Sequence, residues 1–291
     1  MTRLLVLDGY TRSGRAELVA GGASEAGHLY ARRLHELQAE AKVAVGYPAD
    51  PDWSTPSAGL AAYDGIVWTG SSLTIYREDE PVRRQVELVR EAFRLGLPAF
   101  GSCWAAQLAV VAAGGSCARN PRGREFGVAR KVALTGAGRT HPLYEGKARV
   151  FDAFTSHQDE ITTLPGGATW LATNAFTRVQ ALEVRHGAGR FWALQYHPEY
   201  DLHEVARLTE VRSGVLVEEG RFADSADAKG WIAELEALHR SPERSDLRFR
   251  MGVDADLLDP AERLRELANW MAHEVEPRAR RRLGGSEAAR P

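Results

Sequence analysis

The chain has 291 residues, 44% of them hydrophobic and 26% charged, with a formal net charge of −2. That make-up belongs to a globular protein large enough to bury a sizeable core, and the near balance of charge excludes a broad nucleic-acid surface, which needs a basic excess. No run approaches the roughly 18 consecutive apolar residues of a membrane span, the N-terminus leads straight into an apolar strand, and the cysteines number two, so a cytoplasmic, reduced protein without membrane contact is expected.

In chain order, residues 4–7 form an apolar strand. Ser24 is placed to cap a helix carrying Leu29, Tyr30, Leu34 and Leu37 on one side. Residues 42–46 and 64–68 are further strands, and Pro81 opens a helix whose Val82, Val86, Val89 and Phe93 recur at helical spacing. A strand over 97–100 and an apolar helix continuing through 108–113 follow at once. Alternation of this kind predicts an α/β fold, a mostly parallel open sheet with helices on both faces. After about residue 120 short strands around 128–134, 149–154, 169–173 and 179–185 predict a smaller antiparallel layer closing on that sheet. Residues 205–238 read as helical and 240–246 as a polar linker. Asp259 and Pro260 then open a helix with Leu264, Leu267, Ala268 and Met271 on one face. The expected division is an α/β domain over 1–238 and a linker plus helical extension over 239–291. A lone helix cannot bury that stripe, so it is expected to dock on its own domain or on a second copy of the chain. The basic run Arg278-Ala-Arg-Arg-Arg282 reads as a solvated tail.

The chemistry concentrates at Cys103, which stands between the strand at 97–100 and the apolar helix after it. A sharp strand-to-helix turn exposes a nucleophile at the carboxyl edge of a sheet and sets a thiol near free helix N–H groups, which favour thiolate. In a second apolar stretch, Phe191-Trp-Ala-Leu-Gln-Tyr-His197-Pro-Glu199, the imidazole and carboxylate stand two apart on extended chain and share a face. A thiol, a base to take its proton and a carboxylate to orient the base make a nucleophilic triad of Cys103, His197 and Glu199. Cys117 has no such surroundings and reads as a buried small residue. Gly70, Cys103 and His197 all fall at carboxyl ends of predicted strands, where open α/β sheets bind ligands.

These residues resemble the class I glutamine amidotransferases, whose elbow G-x-C-x-G-x-Q is matched by Gly101-Ser-Cys103-Trp-Ala105-Ala-Gln107 and whose H-x-E is matched by His197-Pro-Glu199. The segments Thr155-Ser156-His157-Gln158-Asp159 and Arg124-Glu125-Phe126-Gly127 are similar to segments of the amidotransferase domain of GMP synthase. The resemblance runs from about residue 40 to about 205. It implies cysteine-dependent hydrolysis of the γ-amide of glutamine, or of a γ-glutamyl amide, through a thioester. Backbone N–H groups of Trp104 and Ser71 would form the oxyanion hole, and Gly70, Gln107, Ser156 and His157 would lie at the substrate pocket. Two positions depart from the family pattern: Ala105 stands for a glycine, and Ser71 for the second of two glycines.

No phosphate loop or dinucleotide fingerprint follows a strand, so no nucleotide cofactor is expected. His157, Asp159, His197 and Glu199 are legitimate metal ligands, but none sits in an H-E-x-x-H helix, and the elbow cysteine explains the pair better than a metal does. Three functions stay open at this stage: ammonia supply to a separate synthetase subunit, a standalone γ-glutamyl amide hydrolase, and a non-catalytic module keeping the fold.

Overall fold

The computed structural model describes residues 1–287. Its strands are β1 (Arg3–Leu7), β2 (Lys42–Gly46), β3 (Gly65–Trp68), β4 (Pro98–Ser102), β5 (Ser116–Arg119), β6 (Glu125–Leu134), β7 (Val150–His157), β8 (Asp159–Thr163), β9 (Ala168–Thr173), β10 (Ala181–His186) and β11 (Gly189–Leu194). The helices are α1 (Arg12–Ala20), α2 (Ala26–Leu37), α3 (Glu80–Arg94), α4 (Trp104–Ala112), α5 (Leu202–Glu218), α6 (Ser225–Arg240), α7 (Ser245–Met251), α8 (Ala255–Leu258), α9 (Pro260–Arg263), α10 (Arg265–Trp270) and α11 (Glu276–Glu287). One nine-stranded sheet runs β2-β1-β3-β4-β11-β10-β9-β6-β7, with β5 and β8 paired apart from it. From β2 to β11 the neighbours are parallel; from β11 to β7 they are antiparallel. The antiparallel strands expected after residue 120 therefore extend the main sheet edge to edge, and the separate small sheet is β5–β8, which the sequence reading did not contain.

Alternation along the strands divides the core into two faces. Leu5, Leu7, Ile66, Trp68, Ala99, Phe191 and Ala193 point toward α3 and α4, where they meet Val82, Val86, Val89 and Phe93. Leu4, Val6, Val67, Phe100, Trp192 and Leu194 point the other way, toward Tyr30 and Leu34 of α2. Leu37, expected on that buried side, is exposed at the helix end. Nor does Ser24 cap α2: the helix begins after Glu25, and the Ser24 N–H donates instead to Glu204 at 3.1 Å.

The C-terminal segment completes this second face. Leu264, Leu267, Trp270, Met271 and Val275 are buried against the sheet, and the Trp270 ring lies 5.6 Å from that of Phe100. Gly65 makes room for it, since a Cβ there would meet Trp270 at 2.8 Å. Ala268, expected in the stripe, is half-buried, and Trp270 and Val275 replace it. Because the chain's own sheet covers the stripe, it offers no surface for a second copy. The polar linker shrinks to a short turn before α7. The basic run is a solvated tail only in part: Arg280 and Arg281 are exposed, but Arg282 pairs with the buried Asp64 at 2.8 Å, and Arg278 donates to the carbonyls of Tyr63 and Gly96. Trp270→Ala is expected to cost about 3–5 kcal/mol of unfolding free energy, measured by denaturant titration. A loss below about 1 kcal/mol would show that the helix is not part of the core.

A second stability element is Glu183 on β10, 2% exposed and bonded to Arg185 at 2.9 Å and Arg190 at 3.0 Å, with His141 at 3.6 Å. Burial pushes its carboxyl up, but the His141 and Arg185 contacts outweigh burial and hold it at about 2, against an ordinary 4.5. A depressed carboxylate contributes stability above pH 4.5 that is lost as pH falls toward 2. Glu183→Gln is expected to remove about 3 kcal/mol at neutral pH and to flatten the acid limb of the stability curve. An unchanged acid-unfolding profile would contradict the assignment.

Candidate active site

Three adjacent parallel strands, β3, β4 and β11, end at one edge of the sheet, and each delivers a site element from its carboxyl end. Cys103 follows β4 directly and precedes α4, with φ 53° and ψ −97°. A side chain held at positive φ costs on the order of 1–3 kcal/mol, a strain that clusters at functional sites. The turn is clamped from below, where the Cys103 N–H donates to the Leu194 carbonyl at 2.7 Å. Ala105 is compatible with it. Its methyl packs into the core over Gly101, where an added Cβ would stand 2.5 Å away, and it does not line the cleft.

His197 and Glu199 lie just past β11. The imidazole Nδ1 and Glu199 Oε1 are 2.7 Å apart, both residues are buried, and the ring stacks on Tyr200 with centroids 4.0 Å apart and planes 4° from parallel. Glu199 Oε1 also accepts from Ser102 Oγ at 2.8 Å, and Ser102 accepts from the Tyr30 hydroxyl at 2.9 Å. Arg33 donates to the Glu199 carbonyl at 2.9 Å and pairs with Asp201 at 2.7 Å, which fixes the backbone beyond. Among the described residues His197 Nε2 has no hydrogen-bond partner. The Cys103 thiol instead donates to the Ser156 carbonyl at 3.7 Å.

Cys103 opens into a cleft of about 410 Å3, within the range of small-molecule sites. Its walls come from α1, the loop after β3, the elbow, the end of β7 and α5. Ser71, Trp104, Gln107, Ser156 and His157 all line it. Gly70 does not: it lies under the His197 ring, where a Cβ would approach Cε1 to 3.1 Å. His157 lends its ring to structure, with Nδ1 at 2.9 Å from the Asp159 carbonyl and Nε2 at 2.8 Å from Glu125. Glu125 also accepts from Asn174 at 2.6 Å and Gln180 at 2.7 Å, so the charge under this wall is satisfied. The Ser71 hydroxyl donates to the Gly9 carbonyl at 2.8 Å and accepts from the Leu73 N–H at 3.1 Å. The serine in place of a glycine thus pins the loop while leaving its own backbone N–H in place.

Among the residues missed from sequence are Tyr10 and Arg212 in the cleft wall and Tyr200, which stacks on His197. Arg212 donates to Ser156 Oγ and, at 3.3 Å, to the Tyr10 hydroxyl. No motif surrounds it; it is one arginine within a predicted helix. Burial pushes the Cys103 thiol up to about 12, while the Arg212 guanidinium and the Trp104 N–H pull it down and the Glu199 and Asp159 carboxylates push it up. Burial thus outweighs the guanidinium and the helix N–H, against the thiolate-favouring surroundings expected of the elbow.

Residues 24–208 match the family described as glutamine amidotransferase class-I. The chain belongs to the class-I glutamine amidotransferases. It is 35% identical to a γ-glutamyl-L-1-hydroxyisopropylamide hydrolase from a Pseudomonas species, over 97% of this chain and 96% of that protein. To GMP synthase from Thermomicrobium roseum it is 32% identical over 60% of this chain, and it spans only 30% of that enzyme's length. A glutamine amidotransferase of known structure from Thermotoga maritima shares the fold, with a TM-score of 0.63 at 17% identity, covering 94% of this chain and 98% of that one. Membership makes the amidotransferase an amide-hydrolysing enzyme, not a non-catalytic module. Among its described residues no helix is long and apolar enough to cross a membrane.

Proposed function

We propose that this amidotransferase acts alone as a hydrolase of γ-glutamyl amides, with Cys103 as nucleophile. One observation carries the proposal: a strained elbow cysteine opens into the cleft at the end of β4, and past the end of the neighbouring β11 stands an imidazole whose Nδ1 is bonded to a buried carboxylate. The thiol turns from the Ser156 carbonyl to His197 Nε2, gives up its proton and attacks the γ-carbonyl. Backbone N–H groups of Trp104 and Ser71 hold the oxyanion, a contribution of about 3 kcal/mol per donor. Imidazolium, stabilised by Glu199, returns the proton to the departing amine. Water, deprotonated by the same imidazole, then releases glutamate from the thioester.

Similarity over nearly the whole chain to a hydrolase of an N-substituted γ-glutamyl amide supports the substrate class. So do Leu18, Leu73, Val211 and Val215 in the cleft wall, which offer apolar surface to an amine substituent that glutamine lacks. A second function, ammonia supply to a separate synthetase, is favoured only by the GMP synthase similarity over part of the chain. Purified protein alone is given γ-glutamyl-isopropylamide or glutamine, and glutamate release is followed. The expected kcat/KM is about tenfold or more higher for the substituted amide. Turnover of glutamine alone, rising when a synthetase from the source is added, would overturn the standalone reading.

A further inference from the structure

Two of the three cations that line the cleft have a carboxylate partner, while the acids Glu17, exposed, and Asp159, which accepts from the Tyr76 hydroxyl at 3.1 Å, have no cation within ion-pair distance among the described residues. Arg124 is bonded to Glu219 at 2.9 Å, and His157 to Glu125 at 2.8 Å. Arg212, half-buried in the wall opposite the elbow, has only the hydroxyls of Ser156 and Tyr10 as partners; among the described residues no carboxylate reaches it. A guanidinium taken partly out of water without an anion is costly, and its planar fork of five donors fits a carboxylate in two parallel bonds. Its placement fits the acyl chain as well. Ser156 touches Arg212 through Oγ and the Cys103 sulfur through its carbonyl, so guanidinium and nucleophile stand one residue apart. In a γ-glutamyl group three carbons, about 5 Å of extended chain, separate the reacting carbonyl from the α-carboxylate.

We propose that Arg212 anchors the α-carboxylate of the γ-glutamyl group and thereby restricts the site to amides whose acyl part carries a free α-carboxylate. The inference rests on the γ-glutamyl reading above. Ser156 and Tyr10 hold the guanidinium in place, and Arg212 acts on binding; the triad carries the chemistry.

The test begins with Cys103→Ala protein, full length, titrated by calorimetry with L-glutamate and with 4-aminobutyrate, which is glutamate without its α-carboxylate. Glutamate is expected to bind about 100-fold more tightly. Adding Arg212→Gln should bring the two ligands within about threefold of each other, and Arg212→Lys should recover part of the difference. Equal binding of both ligands to the Cys103→Ala protein overturns the proposal, whether or not the Arg212 variants fold. In the otherwise wild-type enzyme, Arg212→Gln should raise KM for the γ-glutamyl amide by a larger factor than it slows alkylation of Cys103 by iodoacetamide, since the guanidinium also pulls that thiol down. Slower alkylation with an upward-shifted pH profile and an unchanged KM would make Arg212 a thiolate-stabilising residue and overturn the anchor. Failure of the γ-glutamyl reading itself looks different: wild-type enzyme then turns over no γ-glutamyl amide, which overturns both.

Discussion

Cys103→Ala is expected to reduce glutamate release to the uncatalysed background, a loss of about 10⁵-fold or more, because a triad without its nucleophile retains only binding and oxyanion contacts. Cys117→Ala is expected to keep most of the activity. Both thiols are pushed up to about 12 by burial, so resting acidity does not separate them. Position does: Cys117 sits on β5 opposite Ile161, packed against the core beneath α3 and α4, and does not line the cleft. Glutamate release by the two variants at matched folded concentration decides the matter. Full activity of Cys103→Ala, or loss confined to Cys117→Ala, would show that the nucleophile is misassigned.

The base and its carboxylate are expected to differ in size of effect. His197→Ala removes the group that takes and returns the proton and should cost about 10⁴-fold or more in kcat. Glu199→Gln can keep an oxygen in the place where Oε1 now meets His197 Nδ1 and Ser102 Oγ, so the ring stays aligned. What disappears is the charge that stabilises imidazolium, and the expected loss is about 10²–10⁴-fold. Steady-state kinetics with a γ-glutamyl amide measures both. Equal activity of Glu199→Gln and wild type would mean that another group orients the imidazole.

What could be read from sequence follows from where the causes lie. The elbow was legible because strand, turn and apolar helix are contiguous, and the His197–Glu199 pair because of its two-residue spacing, although the structure carries that pair in a turn beyond β11 and not on extended chain. The parallel half of the sheet followed from alternating apolar strands and striped helices. Helix α1 was not legible, since Leu18 is its only large buried apolar side chain; Arg15 is buried there to pair with Asp50 at 2.7 Å, a contact made across 35 residues. Strands β5 and β8 escaped because they are short and half-exposed, without apolar alternation. The C-terminal stripe was visible, but its partners were not: Phe100 and the gap at Gly65 are far away in sequence, as is Asp64, which Arg282 covers. Arg212 belongs to the same class. Its surroundings depend on Tyr10 and Ser156, brought to it from the loop after β1 and from β7, and no local pattern announces such a meeting.

The covalent intermediate is the centre of the mechanism, and it can be captured. Wild-type enzyme mixed with a γ-glutamyl amide, quenched in acid during turnover and examined by peptide mass spectrometry, should carry one glutamyl group on the peptide containing Cys103. The adduct should be absent from Cys103→Ala and should be released by hydroxylamine, as a thioester is. A glutamyl group on Cys117, or steady turnover with no acylated peptide at any quench time, would contradict nucleophilic catalysis by Cys103.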